Sequence, residues 1–473
     1  MKARLHFLFA AIVGLALRLG FVFRFPADAG DSAVYEALAR NWLHEHVYGV
    51  YAGGQLIPTD MRVPGYPAFL AALYALAGDS RTVVMVAQAA LDVVTCLLIA
   101  LLAAALVPQT QRRHVAIAAM WLAAMCPFVA NYSAAVLTET VATFLTAAAL
   151  LVFLTCTDGY VGDNFHVVRG RNWFLGAILV GFGALVRPET PLLLVALGLV
   201  LVARWWRRRN WVHLLPAAAL MAFGLILPLL PWAARNWHEF HRVQFLAPRH
   251  AEMPGEFVPR GFYAWTDTWL VRFGDVYLCV WKLDDEPVAM EDLPAAAFDS
   301  PEKQARVAVM LAEYNETTTM TPALDHEFAE LASERTARRP LRTHLWVPLG
   351  RAATLWFTPR IENLPYSGHM WPVAQEWEED RTDFSVTIFF GLLNFLYVGL
   401  ALAGLLHALR HRAQFPPNGR WGIALLTAFI LVRTAFFTQA PTPEPRYVLE
   451  CFPALLALAS LAWWKPHRTT QAG

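Results

Sequence analysis

Apolar residues in this chain come in long uninterrupted blocks. They show neither the period-two alternation of a half-buried strand nor the single stripe of a soluble helix. Ten blocks approach or reach the roughly 20 residues needed to cross a hydrocarbon core: 5–25, 82–107, 115–130, 138–155, 173–186, 191–203, 212–232, 386–406, 421–437 and 448–464. The fifth and sixth are short, and Arg187-Pro188-Glu189 between them must turn at a membrane face. The pattern predicts an all-α polytopic membrane protein, a bundle of about ten transmembrane helices. A membrane module over 1–234 is followed by a large loop domain over 235–385 and a second membrane module over 386–473.

Other stretches are helical in period but too short or too charged to cross. In the first loop, 26–81, Tyr35, Leu38, Ala39 and Trp42 recur at helical spacing after Asp31, with Glu36 and Arg40 between them. A Gly- and Pro-punctuated stretch follows, then PGYPAFLAALYALAG; two short helices lying on the membrane surface are expected. Segment 341–357 is apolar but carries Arg342, His344, Pro348 and Arg351, and reads as an amphipathic helix in the outer interface. The large loop predicts further helices around 301–314 and 324–337, hence a small folded unit of its own.

Charge orients the spans. With the N-terminus in the cytoplasm, Arg112 and Arg113, Arg169 and Arg171, Arg204 with Arg207, Arg208 and Arg209, Arg410, Arg412 and Arg420, and Lys465 and Arg468 all fall on one side. Few acids join them, chiefly Asp158 and Asp163. This agreement favours an even number of spans with both termini inside, in the inner (plasma) membrane. The N-terminal block follows Lys2 and Arg4 but runs on to Phe25 without a small-residue cleavage site, so it reads as a retained span.

Composition agrees: 57% of residues are hydrophobic and 16% charged, against about 25% charged in a soluble domain. No charged tail suggests nucleic acid. Cys96, Cys126, Cys156, Cys279 and Cys451 show neither metal-ligand spacing nor a disulfide framework. His238, His241 and His250 cluster, but HEFH lacks the HExxH spacing of a zinc protease, so no metal site is expected.

The candidate chemistry lies at the outer face. Asp31 directly follows the first span, where a carboxylate can take a proton from an acceptor while a lipid-borne donor stays in the bilayer; as Gly30-Asp31-Ser32 it also suits a helix N-cap. Glu139 opens the fourth span, either as a second site carboxylate or as an acid favoured by a helix N-terminus. Arg62, Arg187 and Arg446 sit where the positive-inside rule disfavours them. Guanidinium groups there can bind a phosphate bidentately, snorkel, or form local salt bridges. Asp92 and Arg433 lie inside spans, where charged groups are paired or functional.

The ordered set GDSAVYEALARNWL, RVPGYPAFLAALYALAG, a TET turn, LVRPE, PWAARN, a large outer loop and PEPRYVLECFPALLALASLAW resembles the GT-C glycosyltransferases. The likeness is to protein O-mannosyltransferase-like enzymes and to bacterial relatives, including the lipid A aminoarabinose transferases. It implies inverting transfer of a sugar from a polyprenyl-phosphate donor to a lipid, glycan or protein acceptor at the extracytoplasmic face. The family's catalytic base falls on Asp31 and its second outer acid on Glu139. Contacts to the lipid phosphate and donor fall on Arg62, Arg446 and Arg187, with Tyr66 and Tyr447 beside them. Many members carry two adjacent acids in the first loop; here Ser32 follows Asp31, so a metal-independent enzyme without cofactor is expected. The alternatives are a transporter or flippase for lipid-linked sugars, which needs a polar midplane path, and a lipid-linked oligosaccharide polymerase or ligase.

Overall fold

The computed structural model describes residues 2–155, 167–208, 214–250, 252–253 and 256–466. Cys156, Asp158, Asp163 and Arg468 lie outside the described residues. Among the described residues the regular structure is helical apart from one two-stranded hairpin and an isolated bridge between Ala27 and Ala135. It divides into two compact units: residues 1–254 with 359–432 and 449–473, and residues 255–358 with 433–448. The second is shorter than the 235–385 read from the sequence and adds a segment from near the C-terminus.

In the first unit, α1 (Lys2–Arg24) is the opening span. The first loop folds as α2 (Gly30–His44), strands β1 (Gly49–Ala52) and β2 (Gln55–Pro58), and α3 (Gly65–Ala77). The hairpin was not foreseen. Its Gly53-Gly54 turn has φ of 58° and 80°, the left-handed pair that joins two antiparallel strands at a two-residue turn. Asn41 on α2 ties it down, donating to the Gly49 carbonyl at 2.8 Å. Ala39, Tyr66, Leu70 and Tyr74 bury the inner faces of α2 and α3 against Val84, Val136, Val141 and Val186 of the spans. Gly65 is required there: a Cβ would lie 2.5 Å from the Leu185 carbonyl oxygen.

The spans continue as α4 (Arg81–Leu106), α5 (Arg112–Ala124), α6 (Pro127–Ala130), α7 (Glu139–Thr155), α8 (Val167–Val186), α9 (Leu192–Arg208) and α10 (Leu214–Phe240). Helix α5 breaks at Pro127 and bends by 51° into residues 127–134. Buried Arg18 of α1 holds the break, because its guanidinium caps the α5 C-terminus: it donates to the Ala124 carbonyl at 2.9 Å and the Ala123 carbonyl at 3.3 Å. It also pairs with Asp92 of α4 at 2.7 Å. The intramembrane acid singled out in the sequence is therefore paired, with Arg18. The unwound segment then meets the start of the first loop, where the Ala27 amide donates to the Ala134 carbonyl at 2.9 Å.

The second unit holds α11 (Arg260–Thr266), α12 (Phe273–Asp275), α13 (Pro301–Thr317), α14 (Pro322–Arg338) and α15 (Val347–Phe357). Ser300 and Thr321 cap α13 and α14 and each is followed by proline at the first helical position, a start signal for both. Phe262, Trp265, Trp269, Tyr314 and Phe328 form the core. Arg351, expected on the polar face of an in-plane helix, is buried, donating to the Leu270 carbonyl at 2.8 Å and pairing with Asp267 at 3.0 Å.

The chain closes with α16 (Val373–Glu379), α17 (Arg381–Arg410), α18 (Pro417–Phe437) and α19 (Phe452–Ser460). Each of the ten apolar blocks coincides with a helix or a bent helix pair. Among the described residues six helices are long and apolar enough to cross a membrane, seven with the bent pair; Glu139–Thr155, Gly170–Val186 and Leu192–Arg204 are shorter apolar helices. Segment 341–357 is not among the candidate spans.

Candidate active site

Asp31 is the second residue of α2, inside its first turn; the N-cap is Ala29, which makes no side-chain cap bond. The carboxylate is therefore not held as a helix cap. It pairs with Arg62, Nη2 to Oδ1 2.9 Å, with 25% of the Asp31 side chain and 22% of the Arg62 side chain exposed. Arg62 comes from the turn after β2, and that turn is pinned from several sides. Tyr48 Oη donates to the Arg62 carbonyl at 3.0 Å. Arg235 of α10 donates to the Thr59 carbonyl at 2.9 Å. Arg242 pairs with buried Asp60 at 2.6 Å. On α2 itself, Arg81 grips buried Glu36 through two bonds, 2.6 and 2.8 Å.

A second group of charges is buried in the same unit. Glu139, first residue of α7, is 1% exposed, and Arg187 donates to it at 2.6 Å. Arg187 also pairs with Glu189 at 2.7 Å and with Glu450 at 3.3 Å. Glu450 in turn accepts from Thr146 at 3.1 Å. One guanidinium thus ties together the α7 start, the α8–α9 turn and the approach to α19. The sequence reading did not single out Glu450, which lies inside an apolar run. An acid in VLECFP was the available signal.

Tyr35 follows one turn after Asp31 on α2. Its ring packs edge-on against Tyr66, centroids 5.2 Å apart. Burial pushes its phenol up to about 12; Arg62 opposes that shift, Asp31 and Glu139 add to it, and Arg187 opposes it. Burial likewise raises the Tyr48 phenol. Tyr66, expected at the donor site, is fully buried and turns its hydroxyl to Gln88 Oε1 at 2.7 Å. Gln88 then donates to the Ala135 carbonyl at 2.7 Å, so Tyr66 braces the unwound segment before Glu139.

Arg446 and Tyr447 belong to the second unit and gather around buried Glu444. Arg446 Nε lies 2.5 Å from Glu444 Oε2, and Tyr447 Oη donates to Oε1 at 2.6 Å. The Tyr447 ring stacks on Phe437, and Arg433 donates to the Tyr447 carbonyl at 2.7 Å. Exposed His238 lies beside Glu239 at 3.3 Å. Among the described residues no three His, Cys, Asp or Glu side chains gather as a metal site.

A family model described as dolichyl-phosphate-mannose-protein mannosyltransferase matches residues 61–232. No curated protein matches the sequence. The oligosaccharyltransferase AglB of Archaeoglobus fulgidus, solved with an inhibitory peptide and a dolichol-phosphate, aligns with a TM-score of 0.51 at 15% identity, over 98% of this chain and 50% of that one. Its apo form aligns with a TM-score of 0.49 at 14% identity, over 98% and 50%. ArnT of Cupriavidus metallidurans bound to undecaprenyl phosphate aligns with a TM-score of 0.42 at 13% identity, over 96% and 77%. The chain thus spans about half the length of the archaeal enzyme it matches. The family model over part of the chain agrees with the resemblance read from the ordered motifs, and this multi-pass membrane chain shares the fold of the archaeal oligosaccharyltransferase structure.

Proposed function

We propose that this protein is an inverting membrane glycosyltransferase that moves a sugar from a polyprenyl-phosphate carrier to an acceptor at the outer face of the inner membrane, both its termini being cytoplasmic. The observation that carries the reading is the Asp31–Arg62 pair, 2.9 Å apart and a quarter exposed, at the end of the first span. A base and a phosphate-binding cation are thereby side by side and open to substrate.

The reaction is a single displacement. Asp31 takes the proton from the acceptor's hydroxyl or amine, and that atom attacks the anomeric carbon from the face opposite the carrier. The carbon–oxygen bond to the phosphate breaks, and the phosphate leaves with the electron pair. Arg62 stabilises the charge growing on it. Holding the donor in the bilayer beside the base supplies proximity. Arg446 and Tyr447, also read as donor contacts, belong to the second unit, where both are held on Glu444. Glu139 shapes the acceptor side. Arg187 is 8% exposed and engaged by carboxylates. It therefore acts by fixing Glu139 rather than by meeting the lipid phosphate.

The transporter alternative gains no support from Arg18 and Asp92: they pair with each other, and Arg18 also donates to helix carbonyls. The test is to supply purified protein in lipid discs with radiolabelled polyprenyl-phosphate sugars and candidate lipid, glycan or peptide acceptors. Glycosidic product from the parent that is lost in Asp31→Asn is expected. Lipid movement without glycosidic bond formation, or near-normal transfer by the folded variant, overturns the reading.

A further inference from the structure

Tyr35 feels the charges of both groups of the first unit yet takes no part in either ion pair. It follows Asp31 by four residues on α2, so the two side chains share a face of the helix. Its ring is half-buried and fixed by the edge-on contact with Tyr66 at 5.2 Å. Among the described residues no hydrogen bond reaches its hydroxyl. The ring is positioned and the polar tip is left available. Asp31, on that same face of α2, pairs with Arg62 at 2.9 Å. The phenol therefore stands on the helix face that carries this pair, as a neutral donor.

We propose that the Tyr35 hydroxyl is a binding donor for the carrier's phosphate, sharing with Arg62 the oxygens that become the leaving group. This deepens the glycosyltransferase reading and rests on it. The chemistry suits the position. Arg62 is already partly neutralised by Asp31, so an anion there gains from a second donor that adds no charge to repel the anomeric carbon's developing positive character. Because burial holds the phenol's proton up to about 12, the donor persists across the range in which the phosphate is ionised.

The experiment uses the full chain in lipid discs, with Tyr35→Phe and two probes: a short-chain polyprenyl monophosphate and the matching uncharged polyprenol. A hydrogen bond to a charged group is worth about 1.5–3 kcal/mol, so the variant is expected to bind the monophosphate roughly ten- to hundredfold more weakly. Polyprenol binding and melting temperature should stay as in the parent, since Phe keeps the contact with Tyr66 and no internal bond is lost. Unchanged monophosphate affinity overturns the proposal. An equal loss for polyprenol does so too, by showing a packing role. If the parent transfers sugar while Tyr35→Phe binds the monophosphate normally, this proposal alone falls. If the parent binds no polyprenyl phosphate, the glycosyltransferase reading falls with it.

Discussion

The Asp31–Arg62 and Glu139–Arg187 pairs have similar geometry, 2.9 and 2.6 Å between nitrogen and oxygen, and opposite surroundings. The first is about a quarter exposed on each side, whereas in the second the glutamate side chain is 1% exposed and the arginine 9%. Solvent reaching the first pair screens it toward the roughly 0–1 kcal/mol of exposed pairs, so opening it to admit a substrate costs less than opening a sealed one. A buried pair is different: removing one partner strands a charge, at about 3–5 kcal/mol. Both look alike in the sequence, an outer-face acid near a span end and an arginine beside Pro or Gly. Burial separates a group that solvent reaches from one that holds walls in place.

The largest expected effect breaks this contrast at its reactive end. Asp31→Asn should cut transfer by roughly 10²–10⁴-fold, the range for loss of a general base, with an unchanged melting curve. A coincident loss of stability would place Asp31 with the buried pair. Arg187→Ala should do the reverse, lowering stability by about 3–5 kcal/mol, read as a drop in melting temperature; Arg62→Ala should leave that temperature in place. Next in size, Glu139→Gln keeps the shape of the buried contact and should impair transfer less than Asp31→Asn in the same assay. No effect at all would leave Glu139 with a structural role only.

Exposed Ala33 on α2 offers a sharper test of where the open pair faces. An Ala33→Cys protein in intact cells should react with a membrane-impermeant maleimide, and reaction only after permeabilisation would reverse the topology. The smallest effect is alkaline. Tyr35 has its pKa raised in the folded chain to about 12, so its contribution is present below its unfolded pKa and fades as pH rises through about 10 to 12. Tyr35→Phe should lose slightly less stability over that window in a pH series of melting curves, and an identical slope would show that the phenol is not buried in the fold.

Hydrophobic run length made the helices legible, and residue type made the acids and arginines legible. It went no further for two reasons. The hairpin escaped notice because four-residue strands carry too little alternation to register against Gly and Pro. Arg18 was hidden inside an apolar block, and its partner Asp92 stood out alone, because the pairing joins residues 74 apart. Whether Asp31 served as a helix cap turned on two residues of register. The helix starts at Gly30, with Ala29 as its cap, and only the packed loop sets that boundary.

By itself, then, the sequence determined that this chain is a stack of membrane helices with shorter helices after the first span and with acids and arginines near span ends. Those follow from the cost of placing unbonded backbone and charge in hydrocarbon, which each local stretch must satisfy alone. Tertiary structure decided which acid meets which arginine, which of those pairs is open, and that Tyr66 faces inward while Tyr35 keeps a usable hydroxyl. Pairing and exposure depend on residues distant in the chain meeting at one place, and hydropathy along a line does not encode that meeting.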